Sequence, residues 1–230
     1  MNSNDVTVVK LGGSHAGSPH LKGWLDSLVA CAGRVVLVPG GGPFADAVRK
    51  AQAKMRFDDA AAHHMALLAM EQYGRALASL RAGFSMAATV PAIRGALRAG
   101  RVAVWAPAAM ALKAAEMPAS WDVTSDSLAA WLAGRLGARS LLLVKHGGPF
   151  EGRVRAADLV AWEVVDRAFP RFLSESGVQG SIVAAPNHGA AAVEALRTGG
   201  NIGARIDLHA RDALLSRPWP KSRYRAGAGR

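Results

Sequence analysis

Val8-Val9-Lys10-Leu11-Gly12-Gly13-Ser14 and Val35-Val36-Leu37-Val38-Pro39-Gly40-Gly41-Gly42-Pro43 are two short apolar runs, each ending in glycines. Each reads as a strand, a glycine turn and then a helix. Glycine has no Cβ, so its backbone can turn sharply and bring N–H groups close to an anion. A helix that starts behind such a turn adds partial positive charge. Two such cradles early in the chain point to two phosphate-bearing ligands held close together. Lys10 lies on the strand entering the first cradle. An ammonium inside an apolar run needs an anionic partner, and a phosphate suits it.

Apolar runs alternate with helical patterns along the rest of the chain. Strands are predicted at 6–11, 35–39, 84–87, 102–105, 141–144 and 181–184, and helices at 21–31, 43–55, 58–80, 91–99, 125–136, 163–173 and 189–196. This alternation predicts an α/β fold, a three-layer αβα sandwich with a mainly parallel sheet. Local signals agree. Pro43 suits the first turn of a helix, the acids Asp58 and Asp59 suit a helix start, and Gly137 suits a helix stop.

The 230 residues, half of them hydrophobic, are enough for one domain or two joined lobes. A single Cys31 rules out a disulfide framework or a cysteine-rich zinc site. With no signal pattern and no membrane-length apolar run, a soluble cytoplasmic protein is expected. The formal charge is +11, but Arg217, Lys221, Arg223, Arg225 and Arg230 lie in a terminal stretch, 216–230, that reads as a flexible basic tail. The remaining charge is spread along the chain, and aromatic residues for base stacking are few. A small anionic substrate is expected in place of nucleic acid or membrane.

Other segments admit two uses each. Gly40-Gly41-Gly42-Pro43-Phe44-Ala45 fits a loose dinucleotide pattern, but no strand leads to an acidic residue at the required distance, so that reading fails its context. A Walker loop and a nucleophile elbow are both absent. In Thr124-Ser125-Asp126-Ser127, Thr124 or Ser125 can cap a helix, while Asp126 can either complement its dipole or orient Lys10 and a metal-bound phosphate. Lys145-His146-Gly147-Gly148-Pro149-Phe150 ends a buried strand with a polar glycine turn, either a nucleotide loop or an ordinary one. Asn187 in Pro186-Asn187-His188-Gly189 can read a nucleotide or cap a helix. His63 and Leu67 share a helix face, where a histidine usually serves packing. No structural metal site is expected.

Taken in order, Val-Lys-Leu-Gly-Gly-Ser at 9–14, Pro-Gly-Gly-Gly at 39–42, Thr-Ser-Asp-Ser at 124–127 and the glycine loop at 145–150 resemble the amino acid kinase superfamily. That superfamily includes acetylglutamate, aspartate, carbamate, uridylate and isopentenyl phosphate kinases. Residues 58–74 and 120–133 are similar to the narrower group of small kinases of methanofuran biosynthesis. Those enzymes transfer phosphate from ATP to 5-(aminomethyl)furan-3-ylmethyl phosphate and form the diphosphate.

The resemblance implies roles for individual residues. Lys10 would contact the transferring phosphoryl group, with the N–H groups of Gly12 and Gly13 stabilising its charge. Asp126 would organise the lysine and the metal-bound phosphates, with Mg²⁺ nearby. Gly13, Ser14, Lys145, His146, Gly147, Gly148, Phe150, Asn187 and Gly189 would lie along ATP. Gly40, Gly41, Gly42, His63, Thr124 and Ser125 would hold the acceptor, whose aminomethyl group could meet His63, Glu71 or Tyr73. An acceptor lobe, about 1–120, and a nucleotide lobe, about 121–215, are implied, as is a homo-oligomer. Several members carry a second lysine in the late turn-helix segment. Residues 187–192 have none, so His188, Lys145 or Mg²⁺ would supply that charge. The alternatives are a sister kinase using a nucleoside monophosphate or isopentenyl phosphate, or a non-catalytic nucleotide- or oxyanion-binding protein.

Overall fold

A computed structural model describes residues 5–148, 150–200 and 202–208. The tail expected at 216–230 lies outside them.

The first apolar run forms strand β1 (Thr7–Leu11), and it becomes the middle of the molecule. Five consecutive buried residues are what a strand covered on both faces requires. β2 (Val35–Pro39) pairs parallel to one edge of β1, and β5 (Ser140–Lys145) pairs parallel to the other. With β3 (Phe84–Ala87), β4 (Val102–Trp105), β6 (Arg153–Arg155), β7 (Gln179–Ala184) and β8 (Ala204–Asp207), they make one sheet in the order β3-β4-β2-β1-β5-β7-β8-β6. All pairings are parallel except that of β7 with β8. The order turns around at β1, and in parallel sheets such a reversal opens a crevice at the carboxyl ends of the strands.

Helices cover both faces. Alternation along β1 sends Val8 and Lys10 to one side and Val9 and Leu11 to the other. Val9 and Leu11 join the core built with Trp24, Leu25 and Leu28 of α1 (Leu21–Val29) and with Leu196 of α9 (Ala190–Thr198). Val8 joins the larger core, with Leu128 and Leu132 of α6 (Ser125–Leu136) and Phe172 of α8 (Phe169–Ser176). The long α3 (Asp59–Ser79) sends Leu67 and Met70 to the larger core and Tyr73 and Leu77 to the other. Helices α2 (Gly42–Met55), α4 (Val90–Arg98), α5 (Ala108–Ala111) and α7 (Ala156–Ala161) complete the layers.

Several expectations need correction. The helix predicted at 163–173 begins only at Phe169; α7 ends before Glu163, whose backbone is left-handed at φ 57°. Thr124 precedes α6 but its hydroxyl caps nothing on the helix. The Asp166 carboxylate instead accepts from the Thr124 N–H at 2.9 Å and the Ser127 N–H at 3.1 Å, and from both residues' hydroxyls. Gly189, not Asn187, is the residue preceding α9. Strands β6 and β8 and the short helices α5 and α7 were not anticipated. Among the described residues, no helix is long and apolar enough to cross a membrane.

Candidate active site

Lys10 is one residue from the end of β1, and Lys145 ends β5. Their register pairs Lys10 with Leu143, two residues before Lys145, so both lysines project from the same face of the sheet. That face is covered by α6, which is buried almost all round and carries Asp126 in its first turn. Asp126 meets both ammonium groups: Lys10 Nζ lies 3.0 Å from Oδ1, and Lys145 Nζ lies 2.8 Å from each oxygen. Asp126 and Lys10 are almost wholly buried. Burial works against the Asp126 charge, but the two ammonium groups outweigh it and hold the carboxyl below its usual range. Burial also pushes Lys145 down to about 8, with Asp126 opposing and Lys10 reinforcing the change.

The two glycine turns meet directly in front of this triad. A Cβ on Gly13 would lie 2.1 Å from the backbone nitrogen of Gly42, and one on Gly40 would lie 2.3 Å from that of Gly13. No side chain fits at either position, so the turns interlock backbone to backbone. Gly41-Gly42-Pro43 opens α2, whose N-terminus faces the cleft. Behind the first turn, His15 is fully buried, with Nε2 3.3 Å from the Val144 carbonyl. Burial lowers its pKa to about 4, and the neighbouring lysines add to the effect, so the ring is neutral at pH 7.

These elements enclose a cavity of about 960 Å³. Of the sequence-predicted residues, Lys10, Gly12, Gly13, Ser14, Gly41, Gly42, His63, Thr124, Ser125, Lys145, His146 and Gly147 line it. Asp126 lies behind its wall, paired to the lysines. Gly40 supports the wall by packing on Gly13. Gly148, Phe150, Asn187 and Gly189 lie outside the lining. Phe150 is buried in the larger core. Gly189 donates its N–H to Ser27 Oγ at 2.9 Å, and His188 contacts His20 of the segment preceding α1. Glu71 is taken up in holding α5, accepting from the Ala108 N–H at 2.9 Å, and Tyr73 is buried beneath Gly42.

The sequence reading missed part of the wall. Asp46 and Arg49 line the cavity from α2, four and seven residues after Gly42, the spacing of one helix face. Arg49 stacks its guanidinium 4.3 Å from the Trp121 ring, and Trp121 Nε1 donates to Gln52 at 2.7 Å. Trp162, Glu163 and Val164 close the cavity, the last two from the stretch wrongly expected to be helical. Helical spacing after Gly42 would have found Asp46 and Arg49; nothing local would have found Glu163.

The donor set does not suit a metal ion at Asp126. Both carboxylate oxygens are already in ion pairs, and no cluster of His, Cys, Asp or Glu among the described residues could hold an ion. The arrangement suits an anion-transfer site: fixed cations and N–H donors surround a space large enough for two phosphate-bearing molecules.

Comparison with known proteins gives the same architecture. A model of the amino acid kinase family matches residues 5–147. The [5-(aminomethyl)furan-3-yl]methyl phosphate kinase of Methanocaldococcus jannaschii is 26% identical over 188 residues, covering 76% of this chain and 86% of that protein. The crystal structure of the Archaeoglobus fulgidus uridylate kinase aligns with a TM-score of 0.66 at 17% identity, covering 88% of this chain and all of that one. The UMP kinase of Bacillus anthracis aligns at 0.63 and 13% identity, covering 90% and 97%.

Proposed function

The chain belongs to the amino acid kinase family, and on that premise we propose that it transfers the γ-phosphoryl group of ATP to the phosphate of 5-(aminomethyl)furan-3-ylmethyl phosphate, forming a diphosphate. The observation that carries the reading is the buried Asp126 holding Lys10 and Lys145 side by side at the ends of adjacent strands. The identity to the Methanocaldococcus jannaschii kinase, spread over most of both chains, supports the acceptor.

The acceptor is a phosphate monoester, already ionised at neutral pH, so it needs no strong base. The obstacle is repulsion between two anions, and positioning with electrostatic stabilisation overcomes it. In this reading the N-terminus of α2 at Gly41 and Gly42 receives the acceptor phosphate, with the neutral His63 imidazole able to donate to it. Burial lowers the His63 pKa, with nearby His64 adding to it, which keeps that ring neutral. Gly12 and Gly13 direct N–H groups at the transferring phosphoryl group. Lys10 and Lys145 neutralise charge on either side of it, and Asp126 fixes their spacing. Lys145 thereby fills the place of the lysine missing from residues 187–192. ATP would extend from the phosphoryl group past His146 and Gly147. Magnesium would arrive with the nucleotide's own phosphates, since Asp126 has no oxygen outside its ion pairs.

The test is ADP release with Mg-ATP and the furan phosphate, with UMP and isopentenyl phosphate alongside. Selective turnover of the furan phosphate supports the proposal. Preference for another acceptor keeps the phosphoryl-transfer mechanism and refutes the acceptor. Binding of ATP with turnover of none refutes both.

A further inference from the structure

Five charged residues line the cavity: Lys10 and Lys145, both paired with Asp126 behind the wall, Asp46 paired with Arg49 at 3.3 Å, and Glu163. The Glu163 carboxylate alone has no cationic partner among the described residues. Glu163 is exposed, so water satisfies its carboxylate, but a negative charge on the lining repels the anionic ligands of such a site unless the ligand brings a cation of its own.

The backbone makes the same point independently. Glu163 follows the end of α7 at φ 57°, with its N–H on the Val160 carbonyl at 2.9 Å and the Val164 N–H on the Leu159 carbonyl at 2.8 Å. This is the Schellman ending of a helix, in which glycine is the ordinary occupant of the left-handed position. A glutamate there is strained relative to glycine, and strain of this kind clusters at functional sites. Trp162 and Val164, on either side, line the same cavity. A smaller adjoining cleft of about 320 Å³ is bordered by Trp121, Thr124, Glu163 and Val164, which sets Glu163 beside the Trp121 wall.

We infer that Glu163 is the specificity residue that receives the acceptor's primary ammonium. The inference rests on the acceptor reading above. It gives the acceptor three points of attachment: its phosphate at the N-terminus of α2, its flat ring along the Trp121 side, and its ammonium at Glu163. The same carboxylate disfavours acceptors with no cationic group, such as UMP or isopentenyl phosphate, because it would be left facing them unpaired. Glu163 touches no transferring group and acts on acceptor choice alone.

The experiment compares kcat/KM for 5-(aminomethyl)furan-3-ylmethyl phosphate with that for furan-3-ylmethyl phosphate, which lacks the amine, in the wild type, Glu163→Gln and Glu163→Gly. The wild type should prefer the amine by roughly tenfold to a hundredfold, the usual range for a lost charged hydrogen bond. Glu163→Gln should lose most of that preference, mainly through the KM of the amine acceptor, with the KM for ATP nearly unchanged. Glu163→Gly should lose it too while its Tm rises by about 2–4 °C, because glycine relieves the left-handed strain. If the wild type turns over the amine acceptor and Glu163→Gln keeps the full preference, the inference fails and the acceptor reading stands. A wild type that does not discriminate between the two compounds also refutes the inference alone. A wild type that phosphorylates neither overturns both.

Discussion

Asp126 has an unusual position for a carboxylate: it is buried, yet it serves two lysines at once. Replacing it by asparagine leaves two ammonium groups close together with no counter-charge. Breaking such a buried arrangement costs about 3–5 kcal/mol, so Asp126→Asn should be both less stable and nearly inactive, measured by urea unfolding and ADP release. Lys10→Ala removes a charge without stranding another. It should fold and lose turnover by about 10²–10³ or more; near-normal turnover would sink the role of Lys10. Lys145 gives a pH signature. Its ammonium, pushed down to about 8, is present below that pH and lost above it. The kcat/KM for ATP should therefore fall as pH rises through about 8. Lys145→Arg, whose guanidinium stays charged, should be slower but should lack that alkaline limb. His15 acts in the opposite pH range. It stays neutral in the fold down to about 4 but takes up a proton near 6.5 when unfolded. The stability it contributes is present above 6.5 and is lost as pH falls towards 4, on the order of 3 kcal/mol. A His15→Gln variant should lose less stability between pH 6.5 and 4.5 than the wild type.

At the scale of elements, α6 shows what a sequence can and cannot reveal. Its apolar residues, its glycine stop at Gly137 and its acid at Asp126 could all be read directly. Its capping partner could not, because Asp166 lies 39 and 42 positions away from the residues it holds. Asp166→Asn should remove acceptors from Thr124 and Ser127 and cost about 1–3 kcal/mol, seen as a Tm fall of several degrees. The glycine turns were legible as turns, since glycines after apolar runs have few other uses. That they touch each other was not, since contact depends on how β1 and β2 align. A contrast tests the contact. Gly13→Ala or Gly40→Ala drives a Cβ into backbone and should abolish stable folding or binding of both ligands. Gly95→Ala in α4, with open space around it, should be neutral or stabilising by about 0.5–1 kcal/mol. The segment from Glu163 to Ala168 reads as helix because its apolar spacing suits one, yet it is a turn that opens on the left-handed Glu163 and reaches α8 only at Phe169.

For the whole molecule, the sheet's centre and its β3 edge were readable, and the opposite edge, β8 and β6, was not. Strands β1, β2, β4 and β5 are mostly Val, Leu and Ala, the composition of strands covered on both faces. Strands β6 and β8 alternate charged with apolar residues over three or four positions, a pattern too short to separate from loop. The reversal of strand order at β1 then determines where chemistry can occur. Lys10 and Lys145 reach one opening only because β1 and β5 are neighbours, although 135 positions separate them in the chain. The interlocked turns also constrain how this protein could change over time. Because Gly13 and Gly40 leave no room between them, the span from Lys10 to the proposed acceptor-phosphate site at the start of α2 cannot be lengthened by a point substitution there. On that reading, new acceptors would have to be accommodated elsewhere in the lining, by changes in α3 and in the stretch around Trp162. A library of variants selected for altered acceptor choice should therefore gather its successful substitutions in those two segments and leave the glycines untouched.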